Sequence, residues 1–246
     1  MGSIMFLKGF IIFTDGASKG NPGKGGWGAV LVNIDKEVVE LGGGSIHAAN
    51  NQMELNAILE AINFIDGISG NVHIYTDSKY VIQGVQNWLP RWKKNSWINS
   101  QGEQVKHVAL WKKLDSLINQ RQGYGTVFWH HVPGHAGVAG NERADYIASN
   151  FAAGKNVELY SGPYEEYKTD LQLHLLSDDN LDKLVEKKKQ IKSKKAYSYL
   201  SLVGGVIERH ESWESCKKRV SGQKNAKYKK TFSEDDEKSL IEEWTQ

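Results

Sequence analysis

The chain has 246 residues, 39% of them hydrophobic and 24% charged, with a formal net charge of +2. Those proportions describe a globular protein of one large domain or two small ones, and no apolar run nears the ~18 residues that a bilayer-spanning helix needs. The one cysteine, Cys216, excludes an internal disulfide and a cysteine-based zinc cluster, and it fits a reducing compartment, the cytoplasm.

Residues 10–15, FIIFTD, are an apolar, β-favouring run that ends on an acid, and the apolar stretch ahead of Asp15 is too short for a signal peptide. The turn-rich GASKGNPGKGG follows, then strands over 27–33 and 37–46 joined as a hairpin near Asp35-Lys36. Residues 50–66 repeat apolar positions at helical spacing, and VHIYTD at 72–77 is a second strand ending on an acid, with Ser78 placed to cap the short helix after it. A helix over 104–120, a strand over 125–131 and a helix over 140–153, with Asn141 as its cap, complete a β-β-β-α-β-α-α-β-α order. Three strands joined by short turns should run antiparallel, and strands reached through helices should run parallel to the first. The expected fold is α/β: a mixed five-stranded sheet covered by helices, three layers in all. In such sheets ligands bind beyond the carboxyl ends of strands, where Asp15 and Asp77 both sit.

After residue 153 periodicity fades. Ser161-Gly162-Pro163 reads as a breaker, and seven lysines against one glutamate between Lys183 and Lys195 read as part of a linker over 154–195, with a helix over 178–193. From 196 to 246 a small α+β domain is predicted: strand YSYLSLV, a Gly-Gly turn, VIERH, a helix from Ser212 or Trp213, strand AKYKKTF and a helix capped near Ser233. The basic runs at 183–195 and 217–230 suit a polyanionic partner.

Four segments carry the chemistry: F-T-D-G at 13–16, N-N-Q-M-E-L at 50–55, Y-T-D-S at 75–78, and G-H-A-G at 134–137 followed by N-E-R-A-D at 141–145. Each alone is a common turn or cap; together, in this order, they are specific. A phosphodiester already carries negative charge, so an attacking hydroxide is repelled unless a divalent metal neutralises it. Clustered carboxylates supply the hard oxygen ligands magnesium prefers, and without a cation their repulsion would raise at least one pKa. His135, flanked by Gly134 and Gly137, suits proton delivery or product release, whereas His130 and His131 at a strand end read as structural. The glycines at 16–28 do not make a phosphate loop, because Lys24 is followed by Gly25 and a strand follows the turn; they would let backbone approach a nucleic-acid strand.

Over residues 8–153 this pattern resembles the type I ribonuclease H family, including Asn21-Pro22-Gly23 and Trp27-Gly28. The resemblance implies a ribonuclease H-like fold and magnesium-dependent cleavage of the RNA strand of RNA–DNA hybrids, with manganese as the alternative metal. It places the metal on Asp15, Glu54, Asp77 and Asp145, makes His135 the mobile-loop histidine, and implies clearance of replication primers and transcription-linked hybrids. It sets Asn21, Asn50 and Gln52 against RNA 2′-hydroxyls, the groups that separate RNA from DNA. Lys79 stands where the family often has glutamine. WLPRWKKNSW at 88–97 interleaves aromatic and cationic residues as a nucleic-acid groove does, and resembles the family's basic protrusion; Trp88, Arg91, Trp92, Lys93, Lys94 and Trp97 are its candidates.

The C-terminal W-E-S-C at 213–216, A-K-Y-K-K at 226–230 and S-E-D-D-E at 233–237 resemble the small hybrid-binding domain that many ribonucleases H carry, usually at the other terminus. That resemblance puts Trp213, Tyr228, Lys229 and Lys230 at the duplex; the alternative is an extension that packs on the catalytic domain. The expected partner is an RNA–DNA hybrid, with no membrane and a monomeric state. Two competing functions are a transposase- or resolvase-type DNA nuclease on the same kind of sheet, and a non-catalytic hybrid-binding protein. N-N-Q-M-E-L and G-H-A-G argue against the first, four intact acids against the second.

Overall fold

The computed structural model describes residues 9–33, 35–135, 137–171, 173, 176, 196–223 and 225–245. The chain divides into two compact units between residues 185 and 186. The lysine run at 183–195 and the helix expected over 178–193 lie outside the described residues.

The first unit is built on Gly9–Gly20 (β1), Gly23–Asn33 (β2), Glu37–Ala48 (β3), Asn71–Thr76 (β4) and Val127–His131 (β5). β1, β2 and β3 pair antiparallel, while β4 is parallel to β1 and β5 parallel to β4, as expected of hairpin and crossover connections. Ser161–Pro163 (β6) adds a sixth strand antiparallel to β3, giving the order β5-β4-β1-β2-β3-β6. The sheet therefore has one strand more than the five expected. A breaker sequence gained strand geometry because β3 offered an unpaired edge.

On one face Asn50–Phe64 (α1) and Val108–Arg121 (α4) bury Leu55, Ile58, Ile62, Trp111 and Leu114 against Ile12 and Ile74. Between β4 and α4 the chain runs through Lys79–Gln83 (α2), a π-helical turn at Gly84–Trp88 and Leu89–Lys94 (α3). Ser78 caps α2 as expected, accepting a hydrogen bond from the Val81 N–H at 3.4 Å. The other face is covered by Ala139–Ala152 (α5), which buries Ala144 and Ile147 among Phe13, Val30 and Tyr75. Asn141 does not cap this helix: α5 begins at Ala139, and Asn141 is buried inside its first turn.

Two further expectations change. The glycine-rich stretch is no loose turn, since β1 and β2 stay paired as far as Gly20 and Gly23 and only Asn21-Pro22 make the bend. Two of its glycines admit a helix: a Cβ on Gly26 would fall 2.2 Å from the Ala148 carbonyl oxygen, and one on Gly28 2.4 Å from that of Ala144. The expected linker also starts late, because Val157, Leu159, Tyr160, Tyr164 and Tyr167 pack against the same core as α5, and Leu171 is buried in it.

The second unit holds Ser198–Val203 (β7), Val206–His210 (β8) and Lys227–Thr231 (β9) in an antiparallel sheet of order β8-β7-β9, with Trp213–Val220 (α6) and Glu234–Thr245 (α7). Ser212 caps α6 through the Ser215 N–H at 3.2 Å, and Ser233 accepts from the Asp236 N–H at 3.1 Å at the start of α7. Its core is small: Leu200, Cys216 and Leu240, with Ser198, Ser201, His210 and Thr231 buried among them.

Candidate active site

Strand register creates the site. β1 and β4 run parallel with Thr14 opposite Thr76, so the next residue of each, Asp15 and Asp77, stand side by side where β4 ends and β1 runs on to Gly20. Glu54 enters from the second turn of α1. The carboxylates of Asp15, Glu54 and Asp77 each offer an oxygen within 4.8 Å of the others. Asp145, on α5, stands outside that group of three, though close enough for its charge to act on Asp15.

This arrangement is costly without a counter-charge. Burial, then the charges of Asp77 and Asp145, push Asp15 up to about 8, although the Gly16 N–H at 2.7 Å favours its ionised form. Burial, then Asp15 and Asp77, also push Glu54 well above the usual carboxylate range. Asn50 donates to Glu54 Oε1 at 3.3 Å and the Gly16 N–H also favours the ionised form, while Glu54 Oε2 is buried with no close hydrogen-bond partner among the described residues. A buried, unsatisfied carboxylate oxygen facing two further acids is the donor set of a hard divalent cation. The residues present fit such an ion.

The loop after β5 closes over the cluster. A Cβ at Gly134 would lie 2.1 Å from Asp77 Oδ2, so the loop runs directly against that acid. His135 follows with φ of 50°, its imidazole 78% exposed and its Nδ1 3.7 Å from Asp145 Oδ2. Asp145 also accepts from Ser149 Oγ at 3.1 Å. His130 is instead held in a ring stack, 4.5 Å from Tyr75, with Nε2 3.0 Å from His73 Nδ1.

The amides expected at the RNA strand converge on the start of α1. Asn21 accepts from the Asn50 N–H at 3.2 Å, and Gln52 reaches back to accept from the Ala49 N–H at 2.8 Å. Lys79 is exposed at the first position of α2, two residues beyond Asp77. Farther along, Trp88 and Trp92 lie 5.5 Å apart in a half-buried stack that continues to the buried Trp111, 5.3 Å from Trp92. Trp97 packs against the core and has Lys112 Nζ 5.5 Å from its ring. Arg91 and Lys94 are exposed, but Lys93 is held by Asp115 at 2.9 Å. In the second unit Trp213 stands 5.3 Å from Tyr228 and 6.0 Å from Tyr199. Tyr228 and Lys229 are exposed, and Lys230 Nζ lies 4.9 Å from the Phe232 ring.

Sequence reasoning missed one group. Glu40 of β3 is buried and accepts from Arg143 Nε at 2.6 Å, Arg143 Nη2 at 2.8 Å, Tyr167 OH at 2.5 Å and the Tyr160 N–H at 3.0 Å. Period-two spacing contained the signal, since Glu40 shares a strand face with the buried Val38.

A mixed sheet with a carboxylate cluster where β4 ends and a glycine-flanked histidine beside it defines an acid-cluster hydrolase of the α/β class. Residues 8–153 match the family model described as RNase H. A ribonuclease H of Cyanothece sp. is 46% identical over 149 residues, 60% of this chain and 92% of that protein. One from Bradyrhizobium diazoefficiens is 49% identical over 137 residues, 56% of this chain and 85% of its own. Among solved structures, LC9-RNase H1, described as a type 1 RNase H with the type 2 active-site motif, aligns with a TM-score of 0.52 at 26% identity, covering 64% of this chain and 79% of that one. The chain belongs to the ribonuclease H family, hydrolases that cleave the RNA of RNA–DNA hybrids and depend on divalent metal. Among the described residues no helix is long and apolar enough to cross a membrane.

Proposed function

We propose that the chain hydrolyses the RNA strand of RNA–DNA hybrids with magnesium, or manganese in its place, held by Asp15, Glu54, Asp77 and Asp145. The observation that carries this reading is the buried, unpartnered Glu54 Oε2 facing Asp15 and Asp77. When bound, the divalent cation neutralises the phosphodiester and activates water. The protein's share is positioning. Gly16 fixes one oxygen of Asp15 and Asn50 one of Glu54, which leaves the other oxygens as ligands. His135, exposed beside Asp145, carries a proton to the leaving oxygen or helps release the cleaved phosphate.

Asn21, Asn50 and Gln52 at the start of α1 face the 2′-hydroxyls, and Lys79 a phosphate. Trp88, Trp92 and Lys94 hold the DNA strand, and Lys93 joins them by exchanging Asp115 for phosphate. In the second unit Trp213 and Tyr228 present ring faces to a sugar or base while Lys229 and Lys230 pair with phosphates, so a tethered module raises local hybrid concentration. The enzyme acts as a cytoplasmic monomer on replication primers and transcription-linked hybrids.

The test is incubation of labelled RNA–DNA hybrid, double-stranded RNA and double-stranded DNA with magnesium, then with chelator. Cleavage of RNA in the hybrid alone, abolished by chelator, is expected. Cleavage of duplex DNA, or turnover that survives chelation, would overturn the proposal.

A further inference from the structure

α5 carries Asp145 and packs tightly on the sheet through an apolar face. At Gly26 and Gly28 the helix backbone approaches strand backbone, and the Ile147 and Phe151 side chains fill the space over Gly28 and Gly42. Ser149, which bonds Asp145, sits on the same helix, so it orients the carboxylate relative to α5 but not relative to the sheet.

Arg143, two residues before Asp145, adds a polar tether between this helix and the sheet. Its guanidinium forks onto Glu40 of β3, whose side chain has no exposed surface, and its Nη2 also reaches the Glu158 carbonyl at 3.3 Å. A bidentate pair of this kind constrains geometry as well as distance. The strap of residues 157–171 closes the arrangement from outside: β6 pairs with β3, the Tyr160 N–H and Tyr167 OH complete the Glu40 shell, and Leu171 buries itself beneath. The family match ends at residue 153, so the strap lies beyond the shared catalytic core.

We propose that the strap is a positioning device for the metal site: Tyr167 and Arg143, acting through Glu40, set the seat of α5 and so the reach of Asp145 toward Asp15, Glu54 and Asp77. This rests on the metal reading above. Arg143 and Tyr167 are positioning residues and touch no reacting atom.

The experiment uses the full chain and three variants, Tyr167→Phe, Arg143→Lys and the control Tyr164→Phe. Tyr164 donates to Asp170 Oδ1 and accepts from the Leu171 N–H within the strap, and neither bond reaches Glu40. Two readouts are taken: the magnesium midpoint of single-turnover cleavage, and the magnesium concentration needed to raise the melting temperature without substrate. For Tyr167→Phe and Arg143→Lys both midpoints should rise roughly tenfold, the low end of what lost supporting contacts around a metal ligand cost. KM for hybrid at saturating magnesium should stay at the wild-type value, and Tyr164→Phe should keep the wild-type midpoints. A Tyr167→Phe curve that overlays wild type, or a Tyr164→Phe shift equal to it, overturns the proposal. If Arg143→Lys does not fold, Tyr167→Phe decides alone. Failure of the metal reading itself is visible first, as a wild-type enzyme indifferent to chelator.

Discussion

Glu40 and Glu54 are buried almost equally, 3% and 5% exposed, and their surroundings drive them in opposite directions. Burial raises both. Around Glu40 the hydrogen bonds from Arg143, Tyr167 and Tyr160 more than offset that cost and hold its carboxyl below the usual range. Around Glu54 the neighbours are Asp15 and Asp77, which add to the cost, and Asn50 is too little to reverse it. One acid has been given every partner a carboxylate can use; the other keeps an oxygen with none. The fold thus separates an acid that holds structure together from an acid that waits for a cation.

Substitution of each tests that separation. Glu54→Gln should cost roughly 10²–10⁴ in single-turnover rate, the effect of several kcal/mol of lost metal-borne stabilisation, while the metal-free protein remains folded. A variant within threefold of wild type at saturating magnesium would remove Glu54 from the metal site. Glu40→Ala should act chiefly on stability, with the raised magnesium midpoint also expected of Tyr167→Phe. It strands the Arg143 guanidinium and the Tyr167 hydroxyl, and breaking a buried pair costs about 3–5 kcal/mol, measurable by denaturant unfolding of the first unit's core. An unchanged denaturant midpoint would show that the pair contributes nothing to stability.

This contrast also explains what the sequence made legible. The acids could be read because each lies in a short motif, and parallel register brings Asp15 and Asp77 together without help from distant chain. The β-β-β-α-β order and its strand directions follow from connection length alone. Glu40 could not be given a role, because an isolated acid in a strand reads as a surface charge until Arg143 and Tyr167, distant in sequence, are seen around it. The sixth strand was hidden for a similar reason: Ser161-Gly162-Pro163 carries turn residues, and only the free edge of β3 made a ladder of them. Asn141 looked like a cap because it precedes the apolar repeat, yet α5 starts two residues earlier.

The second unit sharpens the comparison from the other side. Among the described residues, its buried polar atoms are all satisfied: Ser201 Oγ meets His210 Nε2 at 2.7 Å, and Ser198 Oγ meets Thr231 Oγ1 at 2.6 Å. It resembles Glu40's surroundings, not Glu54's, and so should bind rather than react. Removing residues 186–246 should weaken hybrid binding roughly tenfold at physiological salt, with a shallower dependence on salt, and leave the saturated single-turnover rate intact. Loss of that rate would make the unit part of the chemistry.

The smallest effect separates the two glutamates' neighbourhoods by pH. With chelator present, Asp15 titrates near 8 in the folded protein and at about 3.8 when unfolded, so across that window the native state holds a proton that the unfolded state has released. Stability should therefore fall as pH rises from 5 toward 8, with the full penalty above 8. Glu40 acts with the opposite sign: its contribution is present above the unfolded value and fades as pH drops through the lowered folded one. Asp15→Asn should flatten the alkaline fall and raise the melting temperature at pH 8.5 by about 2–4 °C, what ~1 kcal/mol of relieved repulsion gives a chain of this size. Magnesium should flatten the same slope in the unmutated protein, because it supplies the charge that protons otherwise bring. Melting temperatures across pH 5 to 9, with and without magnesium, distinguish the cases: an alkaline slope that Asp15→Asn leaves unchanged would mean that the cluster is not strained by its own charge.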